Sequence, residues 1–129
     1  MSNARWHEVC AHEDLIEGAG IAALVGGRQI ALFQVHGRVY ALDNFDPSSR
    51  ANVLSRGLTG NLQGERVVAS PIYKNHFALT SGRCIEDPVT LKRFRTFVNS
   101  DESDRNVVFV EERGQIRPAT AEEKAMEVA

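Results

Sequence analysis

The sequence has only two cysteines, Cys10 and Cys84, and they are far apart. No Cys-x-x-Cys pair is present, so neither a zinc finger nor a dithiol redox motif is indicated, and no disulfide framework is implied. We therefore expect two reduced thiols. His7, His12 and His36 also lack a partner at the spacing of a zinc site.

Long apolar runs and strongly basic segments are absent as well. The longest apolar stretches, Ile21 to Val25 and Ile30 to Phe33, are far too short to cross a bilayer, and the N-terminus lacks a basic-then-apolar signal pattern. A net charge of −2 without a basic block gives little attraction for nucleic acid or anionic lipid. We expect a cytoplasmic protein whose partners are neither nucleic acids nor membranes.

The overall composition is that of an ordinary globular protein, with 129 residues, 43% of them hydrophobic and 25% charged. A chain of this size predicts one domain over residues 1–129, with a core at about residues 5–117. Residues 118–129 are expected to be a terminal tail or a short helix. Thr120 and Glu123 have the spacing of a capping box, which favours a helix over Ala121 to Val128.

Short runs of Val, Ile, Phe and Tyr between glycine and Asx residues predict consecutive antiparallel strands. Gly26-Gly27 predicts a tight hairpin between Gly20 to Val25 and Arg28 to Val35. Asp43 to Glu65 is predicted to be the largest loop. Leu91 to Val98 is predicted to be a strand, but its apolar residues do not keep a period of two, so its buried face stays open. The pattern favours an all-β sandwich or small barrel.

Two segments resemble the cluster-binding loops of Rieske domains, in which Cys-x-His follows one strand and Cys-Pro-x-His precedes a hairpin with a Thr-Gly turn. Here Val39 to Leu42 runs into Asp43 to Pro47, and Ala69 runs into Ser70 to Gly82. The resemblance implies a Rieske-like fold with two loop-bearing hairpins. A Rieske centre needs two thiolates and two imidazoles. The corresponding positions hold none of these groups, being Asn44, Asp46, Ser70 and Tyr73.

The chain resembles more closely the small subunit of assimilatory NAD(P)H nitrite reductases, a branch of the Rieske-like group without cluster ligands. The stretches that carry this resemblance are Ala41 to Pro47, Ala51 to Gly57, Val67 to Lys74 and Phe77 to Pro88. It implies a non-catalytic accessory subunit of an enzyme that reduces nitrite to ammonium in nitrate assimilation. The implied partner is a large subunit with siroheme, a [4Fe-4S] cluster and FAD, whereas no cofactor or metal is implied for this chain.

Two other functions are compatible with the residues. Cys10, Cys84 and His76 could hold a cluster in an unconventional arrangement for electron transfer, although their spacing matches no known pattern. Alternatively, the vacated loop tips could form a small-molecule pocket in a free-standing binding module. Asp46, Tyr73 and His76 could also act as acid–base groups, but Asx and Ser residues in such loops more often bond to local backbone.

Several residues near the two loops are candidates for a partner interface, because arginine and tyrosine are enriched at interface hot spots. They are Arg50, Asn52, Arg56, Tyr73 and Lys74. Tyr73 could instead fill the space that a cluster would occupy, and the sequence favours neither position. The segment around Arg50 could equally be a solvated loop with Val53 and Leu54 in the core. The run Lys92 to Arg95 is more typical of a polar strand face than of a ligand site.

Overall fold

The structure is a computed structural model that describes residues 4–100 and 104–113. Twelve strands and two short 3-10 turns form within these ranges. The turns are His12–Asp14 and Leu54–Arg56. The strands are β1 Ala4–Ala11, β2 Gly20–Val25, β3 Arg28–Val35, β4 Arg38–Asp43, β5 Phe45–Asp46, β6 Ala51–Asn52, β7 Leu58–Leu62, β8 Glu65–Ala69, β9 His76–Ala78, β10 Arg93–Phe94, β11 Thr96–Ser100 and β12 Asn106–Arg113.

The strands form three sheets of three or four strands and one two-stranded ribbon. The terminal sheet has the order β1-β12-β11, the central sheet β10-β4-β3-β2, and the loop sheet β7-β8-β9, while β5 pairs with β6. All these strand pairs are antiparallel. The prediction of an all-β antiparallel fold is confirmed. None of the described sheets closes on itself, so the small-barrel alternative does not apply.

The central sheet lies between the other two large sheets, because β3 buries both of its faces. All four residues from Ile30 to Phe33 are fully buried. Leu32 belongs to a cluster with Val108 of the terminal sheet, and Phe33 to a second cluster with Phe77 of the loop sheet. Each such side chain contributes about 1.5–3 kcal/mol through its burial. This core holds β4 and β8 in place. β4 leads into the first Rieske-like loop, which begins at Asn44, and β8 leads into the second, which begins at Ser70.

The prediction of one long loop from Asp43 to Glu65 is wrong in two places. Phe45–Asp46 and Ala51–Asn52 pair as a small ribbon, and Leu58–Leu62 is strand β7, which pairs with β8 through a tight turn. The turn places Gln63 and Gly64 at positive φ, and the Asn61 side chain accepts a hydrogen bond from the Gly64 amide at 2.9 Å. Leu58 is 80% exposed, so β7 has no apolar alternation that a sequence pattern could reveal.

The predicted strand Leu91 to Val98 is two strands that belong to different sheets. In β10, Arg93 pairs with Leu42 of the central sheet, whereas in β11 Phe97 pairs with Phe109 of the terminal sheet. The chain changes sheet at Arg95. A change of sheet alters which neighbours each side chain meets, and this is why the apolar residues there do not keep a period of two.

The hairpin after the second loop depends on Gly82, which has a φ of +81°. A Cβ at Gly82 would overlap the carbonyl oxygen of Leu91, so a side chain is excluded by space as well as by φ. The segment that returns after Gly82 forms two isolated bridges, Cys84 with Phe77 and Arg83 with Thr90, and no regular strand. The hairpin turns at Gly82 but has less regular pairing than the other hairpins.

Some predictions concern residues outside the described ranges. The expected terminal helix over Ala121 to Val128 and the predicted end of the core at about residue 117 both lie there. The single-domain assignment over residues 1–129 stays a prediction. Within the described residues, no helix has the length and apolar character needed to span a bilayer.

Candidate functional site

The first loop begins with Asn44, whose side chain is buried and bonded on both of its polar atoms. The Oδ1 atom accepts a hydrogen bond from the Ser55 amide at 2.7 Å, and Nδ2 donates to Oε1 of Gln29 at 3.1 Å. The Asn44 carbonyl also accepts from the Leu54 amide at 3.1 Å. Asn44 thus fixes the loop to the start of β3 and to the turn after β6. Both polar atoms of its side chain are thus engaged inside the protein, and the residue is only 1% exposed.

Asp46 joins the first loop to the second. Its carboxylate is fully buried and accepts hydrogen bonds from the Ser48 amide at 3.0 Å, the Ser49 hydroxyl at 2.9 Å and the Ser70 hydroxyl at 2.5 Å. Ser70 itself is 1% exposed. A buried carboxylate needs such donors, since an unpaired charge away from water is very unfavourable. The two loops are therefore linked through the positions at which the Rieske resemblance expects ligands.

The second loop, Ser70 to Asn75, is closed by its own backbone. The Ser70 amide donates to the Asn75 carbonyl at 2.9 Å, and the Lys74 amide donates to the Ser70 carbonyl at 3.0 Å. Asn75 Nδ2 donates to Ser48 Oγ in the first loop at 2.9 Å and to Asp87 Oδ2 at 3.1 Å. This is a second bridge between the loops, so their relative position is defined at two places.

Tyr73 lies at the tip of the second loop with 62% of its surface exposed. Of the two positions that the sequence left open for Tyr73, the structure shows the exposed one, and the ring does not fill the space between the loops. Its neighbour Ile72 is 50% exposed, and Leu58, which pairs with Ala69 just before this loop, is also exposed. The interface candidates chosen from the sequence did not include Ile72 or Leu58. For Ile72 a signal was available, because it forms an apolar pair with Tyr73 directly after Ser70-Pro71 in a turn segment.

Comparison with known proteins identifies the family. The Rieske-like [2Fe-2S] domain matches residues 5–108. The nitrite reductase (NADH) small subunit of Salmonella typhimurium is 44% identical over 86 residues, which are 65% of this chain and 80% of that protein. The chain belongs to the Rieske-like domain family, in the branch of nitrite reductase small subunits. The expected family is thus confirmed.

Two further relatives help to define this Rieske-like chain. The NMR structure of the Escherichia coli protein NirD superimposes with a TM-score of 0.74 at 36% identity, covering 84% of this chain and 97% of that one. The large subunit of the nitrite reductase of Klebsiella oxytoca is 51% identical over 78 residues. That match covers 60% of this chain but only 8% of the Klebsiella protein. A related domain is therefore part of a much longer polypeptide in that protein.

The family name implies a two-iron cluster, and the residues of this chain do not fit one. The four ligand positions offer an amide, a carboxylate, a hydroxyl and a phenol, whereas iron in such clusters selects thiolate and imidazole. Asn44, Asp46 and Ser70 are occupied by hydrogen bonds within the protein, and Tyr73 is directed outward. The described residues contain no group of three or more His, Cys, Asp or Glu side chains placed to hold a metal ion.

The groups suggested for a relocated cluster are brought together only in part. The thiol of the buried Cys84 donates to Oε1 of Glu86 at 3.7 Å, beside His76, whereas Cys10 lies half-buried in β1. Nδ1 of His76 lies 2.6 Å from Oε2 of Glu86. The backbone N–H of His76 also bonds to Glu86, and this lowers the pKa of that carboxyl. His76 therefore makes its contacts within the hairpin, with Glu86, whereas Asp46 makes its contact with Ser70 in the second loop.

The cations proposed for a partner interface flank the linked loops. The Arg50 amide donates to the carbonyl of Asp46 at 2.7 Å, and Lys74 bonds in the same way to Ser70. Both have a positive φ and exposed side chains. We call Arg50, Ile72, Tyr73 and Lys74 the loop-tip surface. Its cations and apolar groups are held by backbone hydrogen bonds next to the bridge between the loops.

The other two proposed interface residues occupy different environments. Arg56 is the exposed last residue of the turn Leu54–Arg56, whereas Asn52 is half-buried and paired with Phe45 in the small ribbon. Leu54 in the same turn is fully buried, as the solvated-loop interpretation required, and Val53 is only partly buried. Their role at an interface stays a prediction.

Asp43 gives a prediction about pH. This carboxylate is 6% exposed, and burial raises its pKa above the usual 3.8, although the charges of Arg28 and Lys92 oppose the rise. The folded state therefore binds more protons than the unfolded state at pH values just above 3.8. The contribution of Asp43 to stability is then greatest at low pH and falls as the pH rises through this window.

Asp43→Asn should remove that fall. An asparagine Oδ1 can still accept the hydrogen bond from the Phe45 amide, at 3.3 Å in the parent. Urea unfolding of parent and variant at intervals between about pH 4 and pH 7 gives the difference in the free energy of unfolding at each pH. We expect the variant to gain stability relative to the parent as the pH rises. A constant difference would contradict the assignment.

Proposed function

We propose that this chain is the cluster-free accessory subunit of an NAD(P)H-dependent nitrite reductase and that it docks on the large catalytic subunit. The observation that carries the proposal is the hydrogen bond from Ser70 to Asp46, which joins two ligand positions directly. A scaffold whose loops are bonded to each other in this way has no electron-carrying group at its tip. Its contribution then lies in contact with another protein.

The Klebsiella large subunit supports association with a large subunit. A stretch 51% identical to this chain is covalently part of that protein. Fusion keeps such a domain at a high effective concentration beside the rest of the polypeptide, which favours contact between them. We infer that the separate chain makes a comparable contact without the covalent link.

The chemistry is assigned to the partner. We propose that the large subunit holds siroheme, a [4Fe-4S] cluster and FAD and reduces nitrite to ammonium in the cytoplasm, where NADH and NADPH are available. The small subunit would position or stabilise it through the loop-tip surface. The exposed Tyr73 and the exposed side chains of Arg50 and Lys74 have the composition typical of an interface core and its rim.

The purified chain is expected to be colourless and to contain far less iron than the two atoms per chain of a Rieske cluster. It should not reduce nitrite alone, yet it should co-purify with a siroheme-containing chain from nitrate-grown cells. Iron analysis, a visible spectrum and an affinity pull-down measure these properties. Stoichiometric iron with sulfide-to-iron absorption bands would contradict the proposal.

The two rival functions have their own tests. A cluster held by unconventional ligands should disappear when Cys10 and Cys84 are both replaced by serine, so a spectrum unchanged by these substitutions excludes it.

The small-molecule module would need an open space at the loop tips. The contact between Ser70 and Asp46 closes that space at its centre, which disfavours a pocket there.

A further inference from the structure

Strand β11 has an unpaired edge. It pairs with β12 on one side only, and the Glu111 amide donates to the Arg95 carbonyl at 2.9 Å. Because the backbone direction alternates along an antiparallel strand, Phe97 also faces β12, whereas Thr96 and Val98 direct their N–H and C=O groups outward. Within residues 4–100 and 104–113, these outward backbone groups have no hydrogen-bond partner.

This edge lacks the features that usually prevent strand addition. Exposed edges in natural sheets carry proline, lysine, a bulge or an inward-pointing charge. The β11 sequence, Thr-Phe-Val-Asn-Ser, contains neither proline nor lysine, and its pairing with β12 is regular, without a bulge. Phe97 and Val98 are about two-fifths exposed, at 38% and 41%. The strand therefore presents both free backbone groups and apolar side chains.

A groove runs along this edge, between β11 and the first half of β4. Its volume is about 330 Å³, and it is lined by residues 37–40 and 96–98. The Thr96 hydroxyl donates to the Val39 carbonyl at 2.9 Å and closes the inner end. An extended peptide against β11 would lie in this groove. Arg38 is five residues from Asp43 along β4, or about 17 Å at the rise of a strand, so the groove is separate from the loop-tip surface.

Positive charge lies in the groove and in the cavity that adjoins it. Arg38 lines both and Arg93 lines the adjoining cavity; both are exposed and have no carboxylate within ion-pair distance among the described residues. Arg95 bonds to Glu111 at 3.3 Å. The adjoining cavity of about 360 Å³ is lined by all three arginines and by no acidic residue. Since the whole chain has a net charge of −2, this charge is a local feature. An acidic occupant is therefore favoured.

We propose that β11 receives an extended acidic segment of the large subunit, which adds to the terminal sheet as a fourth strand. Backbone hydrogen bonds to the outward N–H and C=O of Val98 would supply affinity, because Thr96 is closed against Val39, and carboxylates facing Arg38 would select the segment. This inference rests on the proposed function, because it names a second contact with the same partner.

Amide hydrogen exchange in the assembled complex tests the proposal. In the isolated chain the Val98 amide should exchange rapidly and the Phe97 amide, which faces β12, slowly. In the complex with the large subunit the Val98 amide should slow by at least about tenfold, as expected for an amide that enters a sheet, while Phe97 changes little. If the complex forms and Val98 still exchanges rapidly, the edge proposal fails and the proposed function stands.

Two other outcomes are distinguishable. A Val98 amide already slow in the isolated chain would mean that the chain covers its own edge, which overturns the proposal. If no complex forms with the large subunit, the proposed function fails and this inference with it. The measurement uses the full chain and the intact partner, so it does not depend on a variant that folds poorly.

Two pairs of variants separate backbone from charge. Val98→Pro removes the outward N–H and should weaken the complex by about tenfold or more, whereas Val98→Thr keeps the N–H and should bind as the parent does. Arg38→Glu should weaken it by about tenfold, most strongly at low salt. Arg5→Glu is the matched control, since the exposed Arg5 lies in β1 at the opposite edge of the terminal sheet. Equal losses in both members of a pair would contradict the proposal.

Discussion

Replacing Asp46 with alanine is expected to lower the free energy of unfolding by about 2–4 kcal/mol. The variant loses three hydrogen bonds to a buried charge and leaves the buried Ser70 hydroxyl without its acceptor. Relief of the desolvation of the carboxylate offsets part of this loss, which is why the estimate is below the sum of three charged hydrogen bonds. Urea unfolding near neutral pH measures the change.

Conservative variants show how much of the lost stability comes from the hydrogen bond between the loops and how much comes from the loss of side-chain volume. Asp46→Asn keeps the size and one acceptor, so we expect a loss of about 1–2 kcal/mol, and a similar loss for Ser70→Ala. Because the two side chains share a hydrogen bond, the double variant Asp46→Ala with Ser70→Ala should cost less than the sum of the single ones. Strict additivity would mean that this bond does not connect the loops.

The ligand positions show what sequence comparison could predict. Asn44, Asp46 and Ser70 follow two recognisable strands, so their place in the two loops and the lack of thiolate and imidazole at these positions could both be read from the sequence. The hydrogen bonds that join segments distant in sequence, such as that from Ser70 to Asp46, were not evident from the sequence. The expected bond to local backbone is present between the Ser48 amide and Asp46, but it is accompanied by the longer-range bonds.

The errors in the predicted strands have physical causes. Strand β7 is held by backbone pairing with β8 and has an exposed Leu58, so its side chains carry no pattern of burial. At Arg95 the chain passes from the central sheet to the terminal sheet. The apolar residues before and after Arg95 therefore face different neighbours, although they form one run in the sequence. Alternation of apolar and polar residues predicts a strand when one face of one sheet is buried. It does not predict a strand that is held only by backbone pairing, or a run of residues that changes sheet.

The position of Tyr73 could not be predicted, because an aromatic side chain in a loop is suited to the core and to an interface alike. Its outward position follows from the tight closure of the second loop by Ser70 and Asn75 and from the bridge to Asp46. These contacts also hold the loop in one conformation. An aromatic ring on such a preorganised loop loses little entropy on binding.

Tyr73→Ala is therefore expected to weaken binding of the large subunit by about 2 kcal/mol, or roughly thirtyfold in Kd. The free energy of unfolding should change by less than about 0.5 kcal/mol, since the side chain is 62% exposed and has no side-chain hydrogen bond or ring contact among the described residues. Titration of the large subunit with each variant, followed by calorimetry or a surface-binding assay, gives the two dissociation constants.

Three comparisons make this prediction specific to the loop tip. Tyr73→Phe keeps the ring and should retain most of the affinity. Ile16→Ala removes an apolar group that is 70% exposed but lies in neither loop, and it should bind like the parent. Asp46→Ala should affect both stability and binding, because it releases the loop that carries Tyr73, whereas Tyr73→Ala should affect binding alone. Parent-like affinity in Tyr73→Ala would place the main contact elsewhere, with the β11 edge as the next surface to test.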